Sequence, residues 1–263
     1  MEITLVQALL IALWTGLALA GSLLGIYSNR SLVLSFGIGL ILGDVPKALT
    51  VGAIGELAFM GFGVSPGGTI PPSPLGPGIF GALLAITNPN IDGQTAFSLS
   101  IPFAIAIQFA ITAINTLMSF SPALAKKAIV EDNDKKFTLY ANLSFLLQLL
   151  IGAIIGFVAA ISTSSINQMV NMIPEFITNG LSMAGAMIPA VGFAMILSNM
   201  IRKENVAFVL LGYILAAYLE MPLMGVAAFA TFFAIYEYQR KSDKKALEVS
   251  EENDERMEFT DGI

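Results

Sequence analysis

Residues Pro66–Gly78 read PGGTIPPSPLGPG. Proline lacks a backbone N–H and clashes with the preceding turn, so this run cannot be a regular α-helix. Yet it carries no charge, and apolar segments flank it: Ala48–Val64 before, Leu75–Thr87 after. Irregular backbone at membrane depth is tolerated only where protein buries it or where it lines a cavity. The plain alternative is a surface loop, which would more often be charged. The stretch therefore predicts a broken or re-entrant element inside an all-α membrane protein. Its free amides and carbonyls, with the Thr69 and Ser73 hydroxyls, suit a polyhydroxyl ligand.

The rest of the chain agrees with a lipid environment. It has 263 residues, 56% hydrophobic and 12% charged, against about 25% charged for a soluble domain. So much apolar surface cannot all be buried in one soluble core of this length. Formal net charge is −6, but much of the acidity sits in the C-terminal tail. No basic face appears, so nucleic acid is not an expected partner. Cysteine and histidine are both absent. That excludes disulfides, a phosphohistidine or phosphocysteine on this chain, Ser/His and Cys/His nucleophiles, and the usual nitrogen and sulfur ligands of zinc or copper. No metal and no cofactor are expected. Without a G-x-x-x-x-G-K motif, ATP hydrolysis is not expected either.

The apolar run Ile3–Ile26 lacks a basic start, so it is read as a span rather than a cleavable signal. Ser31–Gly43, Ala48–Val64 and Leu75–Thr87 are apolar but short, as half-helices or re-entrant hairpins are. Thr95–Phe120 is long and broken at Pro102. Leu139–Ser162 spans again, and Ser164–Ser182 reads as interfacial or re-entrant. Met183–Ile201, Val206–Leu219 and Met224–Tyr236 complete the set. The expectation is a polytopic protein of about eight to ten membrane segments, some incomplete. Residues 1–238 form the membrane domain, and 239–263 form a charged tail without regular structure. Provided Ser164–Ser182 stays outside, the basic clusters at Lys126–Lys136, Arg202–Lys203 and Arg240–Lys245 can all be cytoplasmic, and the C-terminus is expected there. The pairs Gly21/Gly25, Gly39/Gly43 and Gly152/Gly156 permit close helix packing.

Glu56 is the first candidate for chemistry. It is the only ionisable residue between Lys47 and Asp92. A carboxylate at membrane depth should face a partner or a watery cavity. Gly52, Glu56 and Gly63 share a helical face with room for a ligand. The bland reading is a capped structural Glu near an interface. Gln108 and Asn115 lie mid-span, where they either bind a polar ligand or join helices. Asn179 beside Gly180 is either a ligand residue or a helix cap or break. Asp44 before Pro46 and Glu220 before Pro222 read as boundary residues.

Several motifs together resemble a known family. The opening MEITLVQALLIAL, the GLILGD ending at Asp44, the small-residue segment around Glu56, IPFAIAIQF at Ile101–Phe109 and PEFITNGLSMAG at Pro174–Gly185 resemble enzyme IIC subunits. These belong to the mannose/fructose/sorbose class of bacterial sugar phosphotransferase systems. The resemblance covers nearly the whole chain up to the tail. It implies a sugar-translocating subunit of the inner membrane, for which Glu56, Thr69, Ser73, Gln108 and Asn179, singled out from their own positions in the sequence, are the expected substrate-binding residues. It also implies a IID membrane partner, a trimer of IIC–IID pairs, an elevator-like shift, and cytoplasmic IIA and IIB phosphoryl carriers.

Mannose-type members carry an Ala-Pro-Asp run after the glutamate helix. Here Gly67–Gly68–Thr69–Ile70–Pro71–Pro72 resembles the Gly-Gly-x-x-Pro-Pro run of the N-acetylgalactosamine-type branch, which implies a hexose or N-acetylated amino sugar. The alternatives are an ion-coupled secondary sugar carrier using Glu56 as the coupling acid, and a non-transporting assembly or receptor subunit.

Overall fold

The computed structural model describes residues 3–61, 72–203 and 205–258. Every regular element among them is helical. In chain order they are α1 (Leu5–Gly21), α2 (Ser31–Leu42), α3 (Val45–Phe59), α4 (Gly76–Thr87), α5 (Gly93–Leu117), α6 (Ser121–Val130), α7 (Asp134–Asn171), α8 (Glu175–Met200), α9 (Val206–Ala217) and α10 (Leu223–Glu258). Among the described residues, four stretches are long and apolar enough to cross a bilayer: Leu5–Leu24, Gly93–Val130, Asp134–Asn171 and Glu175–Met200.

Helix starts follow from local chemistry. Thr4 caps α1 through a capping box with Gln7, which satisfies two orphan N–H groups reciprocally. Asp44 caps α3 by accepting from the Lys47 N–H at 3.2 Å, with Pro46 in the first turn. Both Asp44 and Glu220 are boundary residues, and Glu220 has a positive φ of 50° in the turn before α10.

The chain divides into two compact units, Met1–Asn199 and Met200–Ile263. In the first unit the short helices α2 and α4 are the most buried. With 12 residues, α2 rises about 18 Å, less than a hydrocarbon core of about 30 Å. Leu34, Ile38, Leu75, Ile79 and Leu83 are all buried there. In lipid, association depends on close packing and polar contacts more than on hydrophobic transfer. Small residues supply the closeness. A Cβ on Gly152 would come within 2.8 Å of the Thr15 carbonyl, and one on Gly156 within 3.0 Å of the Ile11 carbonyl, so α1 and α7 touch backbone to backbone.

Polar pairs also tie α7 to its neighbours. Gln148 donates to Asn115 at 3.2 Å, and Asn167 to Thr87 Oγ1 at 2.8 Å. Asn88 donates to Asn171 at 3.0 Å. The Gln148 and Asn167 carbonyl oxygens are buried without a donor.

Several expectations need correction. Pro102 does not break the long span, because α5 runs through it. Proline removes only one N–H, a loss that helices packed in a membrane protein tolerate. Ser164–Ser182 is no separate re-entrant segment. It is the end of α7, a turn at Pro174, and the start of α8. Of the three glycine pairs, Gly152/Gly156 packs helices as expected. Gly25 (φ 75°) and Gly43 (φ 84°) instead end their elements in the left-handed region, which glycine enters without a Cβ penalty.

In the second unit α9 and α10 form a helical pair. Past Gln239 the chain is helical rather than irregular, since α10 continues to Glu258. The run KKALEVSEENDERME is rich in strong helix formers.

Candidate functional site

The site is built on α2 and α3. Helix α3 buries a small-residue face, Ala48, Val51, Gly52, Gly55 and Ala58. Ser35 and Leu32 of α2 lie against Gly52, and Ser31 lies against Gly55. Thus the glycines admit a neighbouring helix, and the space at Gly52 is filled by α2 rather than left for a ligand. Glu56 follows Gly55, at the margin of this packed face. Its side chain is 21% exposed.

Glu56 is paired. Arg30 Nε donates to Glu56 Oε1 at 2.6 Å, and Arg30 Nη2 approaches the same oxygen. Arg30 holds the N-cap position of α2 with extended backbone (φ −88°, ψ 146°). That geometry frees its side chain to reach across to α3. Among the described residues, no donor reaches Glu56 Oε2. A charge pair of this kind among apolar helices is weak evidence for stability and stronger evidence for a functional site. Ser31, next in the chain, is fully buried, and its hydroxyl has no hydrogen-bond partner. It faces Gly55 and is closed off from the exposed edge of the pair.

Sequence reading missed Arg30. A signal existed. Asp44 and Lys47 pair locally at 3.0 Å, which leaves Arg30 and Glu56 as the two unmatched charges between Glu2 and Asp92.

The described part of the proline-rich stretch packs against this region. Gly76–Gly81 is a π-helical turn, and Gly76, Pro77 and Gly78 are all buried. Gly76 lies against Ala104 of α5, Pro77 against Gly55, and Gly78 against Leu34 and the Ser31 carbonyl. The glycines at 76 and 78 are thus required by close approach on two sides. A π-turn of this kind is frequent at functional sites.

The expected site residues separate as follows. Ser73 is 1% exposed. Its N–H donates to the Ala104 carbonyl at 3.1 Å, and its hydroxyl accepts from the Leu75 N–H at 3.3 Å. Its oxygen therefore shapes the turn into α4. Gln108 stands one turn beyond Ala104 on α5 and is half-buried. Among the described residues its amide makes only a long 3.4 Å bond, to Thr112 of its own helix. So Ser73 and Gln108 share one flank of the block that carries Glu56. Asn115 joins helices, accepting from Gln148.

Asn179 is exposed, and α8 continues through Asn179–Gly180 without a cap or break. Gly192 of α8 lies under the Leu57 and Ala58 carbonyls, beside Glu56. About 20 Å of helix separates Asn179 from Gly192 at roughly 1.5 Å per residue, so Asn179 stands apart from the Arg30–Glu56 pair. Thr69, Gly63 and residues 66–71 lie outside the described residues. Among the described residues, no group of His, Cys, Asp and Glu could hold a metal ion.

Comparison with known proteins adds to this geometry. Residues 5–236 match the family model described as the sorbose-specific IIC component of a phosphotransferase system. The N-acetylgalactosamine permease IIC component 1 of Escherichia coli (strain K12) is 28% identical over 268 residues, covering 100% of this chain and 99% of the relative. A solved structure described only as a membrane protein aligns with a TM-score of 0.80 at 29% identity, over 90% of this chain and 97% of its own. The cryo-EM structure of the mannose transporter ManYZ with microcin E492 aligns with a TM-score of 0.56 at 29% identity, over 91% and 97%.

Proposed function

We propose, from the premise that this chain belongs to the sorbose-specific IIC family of phosphotransferase-system components, that it carries a hexose or N-acetylated amino sugar across the bacterial inner membrane with Glu56 in its binding site. The chain is a multi-pass sugar-permease IIC component that works with the other components of its system. One observation carries the site: Glu56 is held by Arg30 through Oε1, with no donor to Oε2 among the described residues, at the edge of a buried block of short helices. A carboxylate oxygen accepting from a hydroxyl makes a strong, oriented contact.

The phosphoryl group comes from elsewhere, since this chain has neither histidine nor cysteine. Cytoplasmic IIA and IIB carriers are its source in this reading. A IID subunit is the membrane partner, in a trimer of IIC–IID pairs that moves sugar by an elevator-like shift. The likeness to the mannose transporter ManYZ supports that partner. The amino-sugar branch is favoured by the Gly67–Pro72 run and by the permease relative that spans the whole chain. Thr69, Ser73 and Gln108 are second-rank candidates for sugar contact, and Asn179 ranks below them. Residues 1–238 are the membrane domain and 239–263 the cytoplasmic tail. The tail's side of the membrane follows from Arg240, Lys241, Lys244 and Lys245 after an apolar stretch. The family match and the relatives favour a phosphotransferase-system permease over an ion-coupled carrier.

The test is uptake of labelled N-acetylgalactosamine and labelled mannose by cells expressing the full chain with its partner components. Glu56→Gln should assemble normally and lose at least tenfold in uptake. Uptake at the wild-type level by that variant would remove Glu56 from the site.

A further inference from the structure

The bonding at Glu56 is lopsided. Two guanidinium nitrogens of Arg30 converge on Oε1, and Oε2 is left without a donor among the described residues. A guanidinium has five N–H donors in a fixed planar fork, so Arg30 keeps donors to spare. Both side chains are reachable, at 39% exposure for Arg30 and 21% for Glu56. Among the described residues, the pair therefore presents an unbonded acceptor beside unbonded donors.

We propose that Arg30 contacts the sugar directly, and that Arg30 and Glu56 together read two adjacent hydroxyls of a pyranose ring. The proposal rests on the sugar-permease reading above. One hydroxyl donates to Glu56 Oε2. The oxygen of its neighbour on the ring accepts from a free guanidinium N–H. Neighbouring hydroxyls in a gauche arrangement suit this juxtaposition, because each can donate or accept.

Other groups fit worse. In a trans amide the N–H and C=O point in opposite directions, so an acetamido group cannot meet both partners at once. It would lie away from the pair. A carboxylate or phosphate would meet the Arg30 charge already matched by Glu56, and Oε2 would repel it. The pair thus selects a neutral diol. Ser31 takes no part, because its hydroxyl is buried against Gly55.

The experiment is a displacement assay on membranes containing the full chain and its partner components. Labelled N-acetylgalactosamine and labelled mannose are the probes. Whichever is retained is displaced by its monodeoxy and monofluoro analogues, one ring position at a time. Two neighbouring positions should each lose about tenfold or more on deoxygenation, the scale of a hydrogen bond to a charged group. At the position read by Glu56, fluorination should harm as much as deoxygenation, because fluorine cannot donate. At its neighbour, fluorination should be partly tolerated. Glu56→Gln should flatten the first penalty and Arg30→Gln the second.

Penalties at non-adjacent positions would overturn the inference while leaving the permease reading intact. So would an Arg30→Gln variant with the wild-type profile. Retention of neither probe would count against the permease reading itself. Should Arg30→Gln fail to assemble, Arg30→Lys keeps the charge but not the fork. The wild-type analogue profile remains decisive alone.

Discussion

Arg30 at the start of α2 and Glu56 near the end of α3 are 26 residues apart in sequence and share one carboxylate oxygen in the fold. The relationship ties the two short helices at their exposed edge, where the buried small-residue face ends. It should be visible as energetic coupling. Arg30→Ala and Glu56→Gln should each lower thermal stability, and the double variant should lose less than their sum. A coupling of about 1 kcal/mol is expected for contacting charged groups. Strict additivity in melts of the purified protein would contradict the pairing.

Glycines along the chain should respond oppositely to a methyl group. At Gly55 a Cβ would come within 2.9 Å of Pro77 Cγ and press on Ser31. Gly55→Ala should cost about 1–3 kcal/mol through overpacking. At Gly180 nothing lies within 4 Å of the added atom, and the residue is inside α8. Gly180→Ala should be neutral or stabilising by up to about 1 kcal/mol. Unfolding temperatures in detergent separate the two, and equal effects would contradict the packing.

Thr87 receives the Asn167 amide N–H at 2.8 Å, while Asn167 Oδ1 is already buried without a donor. Thr87→Val would leave the whole amide unpaired. It should cost about 1–3 kcal/mol, the usual penalty for an orphaned buried polar group. Adding Asn167→Leu should restore much of that loss. A double variant less stable than Thr87→Val alone would show that the pair is not the reason for the first effect.

Asp92 caps α5 in the turn before that helix. Burial raises its pKa, but hydrogen bonds from Thr95 and Ser182 outweigh this and hold it below the ordinary carboxylate range. A depressed folded pKa contributes stability above the unfolded value, near about 3.9, and that contribution is lost as pH falls through the folded value. Asp92→Asn should therefore be less stable than wild type at neutral pH, and the gap should close below about pH 4. A gap that persists unchanged in acid would contradict the charge-based account.

Truncation after Lys245 tests the tail. Sugar binding should survive, because Glu56 and Arg30 belong to the other compact unit. If phosphorylation slows while binding holds, the acidic stretch Glu248–Asp261 is a docking arm for IIB. If both hold, it is a solvated extension. Loss of sugar binding in a correctly assembled truncation would contradict either role.

The sequence by itself determined the solvent and the division of chemical labour. Hydropathy and the scarcity of charge require helices in lipid, because backbone groups there must be satisfied within the segment. The absence of histidine and cysteine rules out a phosphohistidine or phosphocysteine on this chain. Within the described end of the proline-rich run, departure from a regular α-helix was legible, since proline and glycine act locally, and Gly76–Gly81 is a π-turn. Tertiary structure alone decided which polar groups meet. Whether Asn115 bound a ligand or another helix depended on where Gln148 of α7 came to lie. Ser73 looked free in sequence, yet its hydroxyl is taken by its own turn. Above all, Arg30 finds Glu56 because Gly52 and Gly55 let α2 lie close on α3. No sequence period encodes a contact across 26 residues, for periodicity reports which face is apolar and not which neighbour that face will meet.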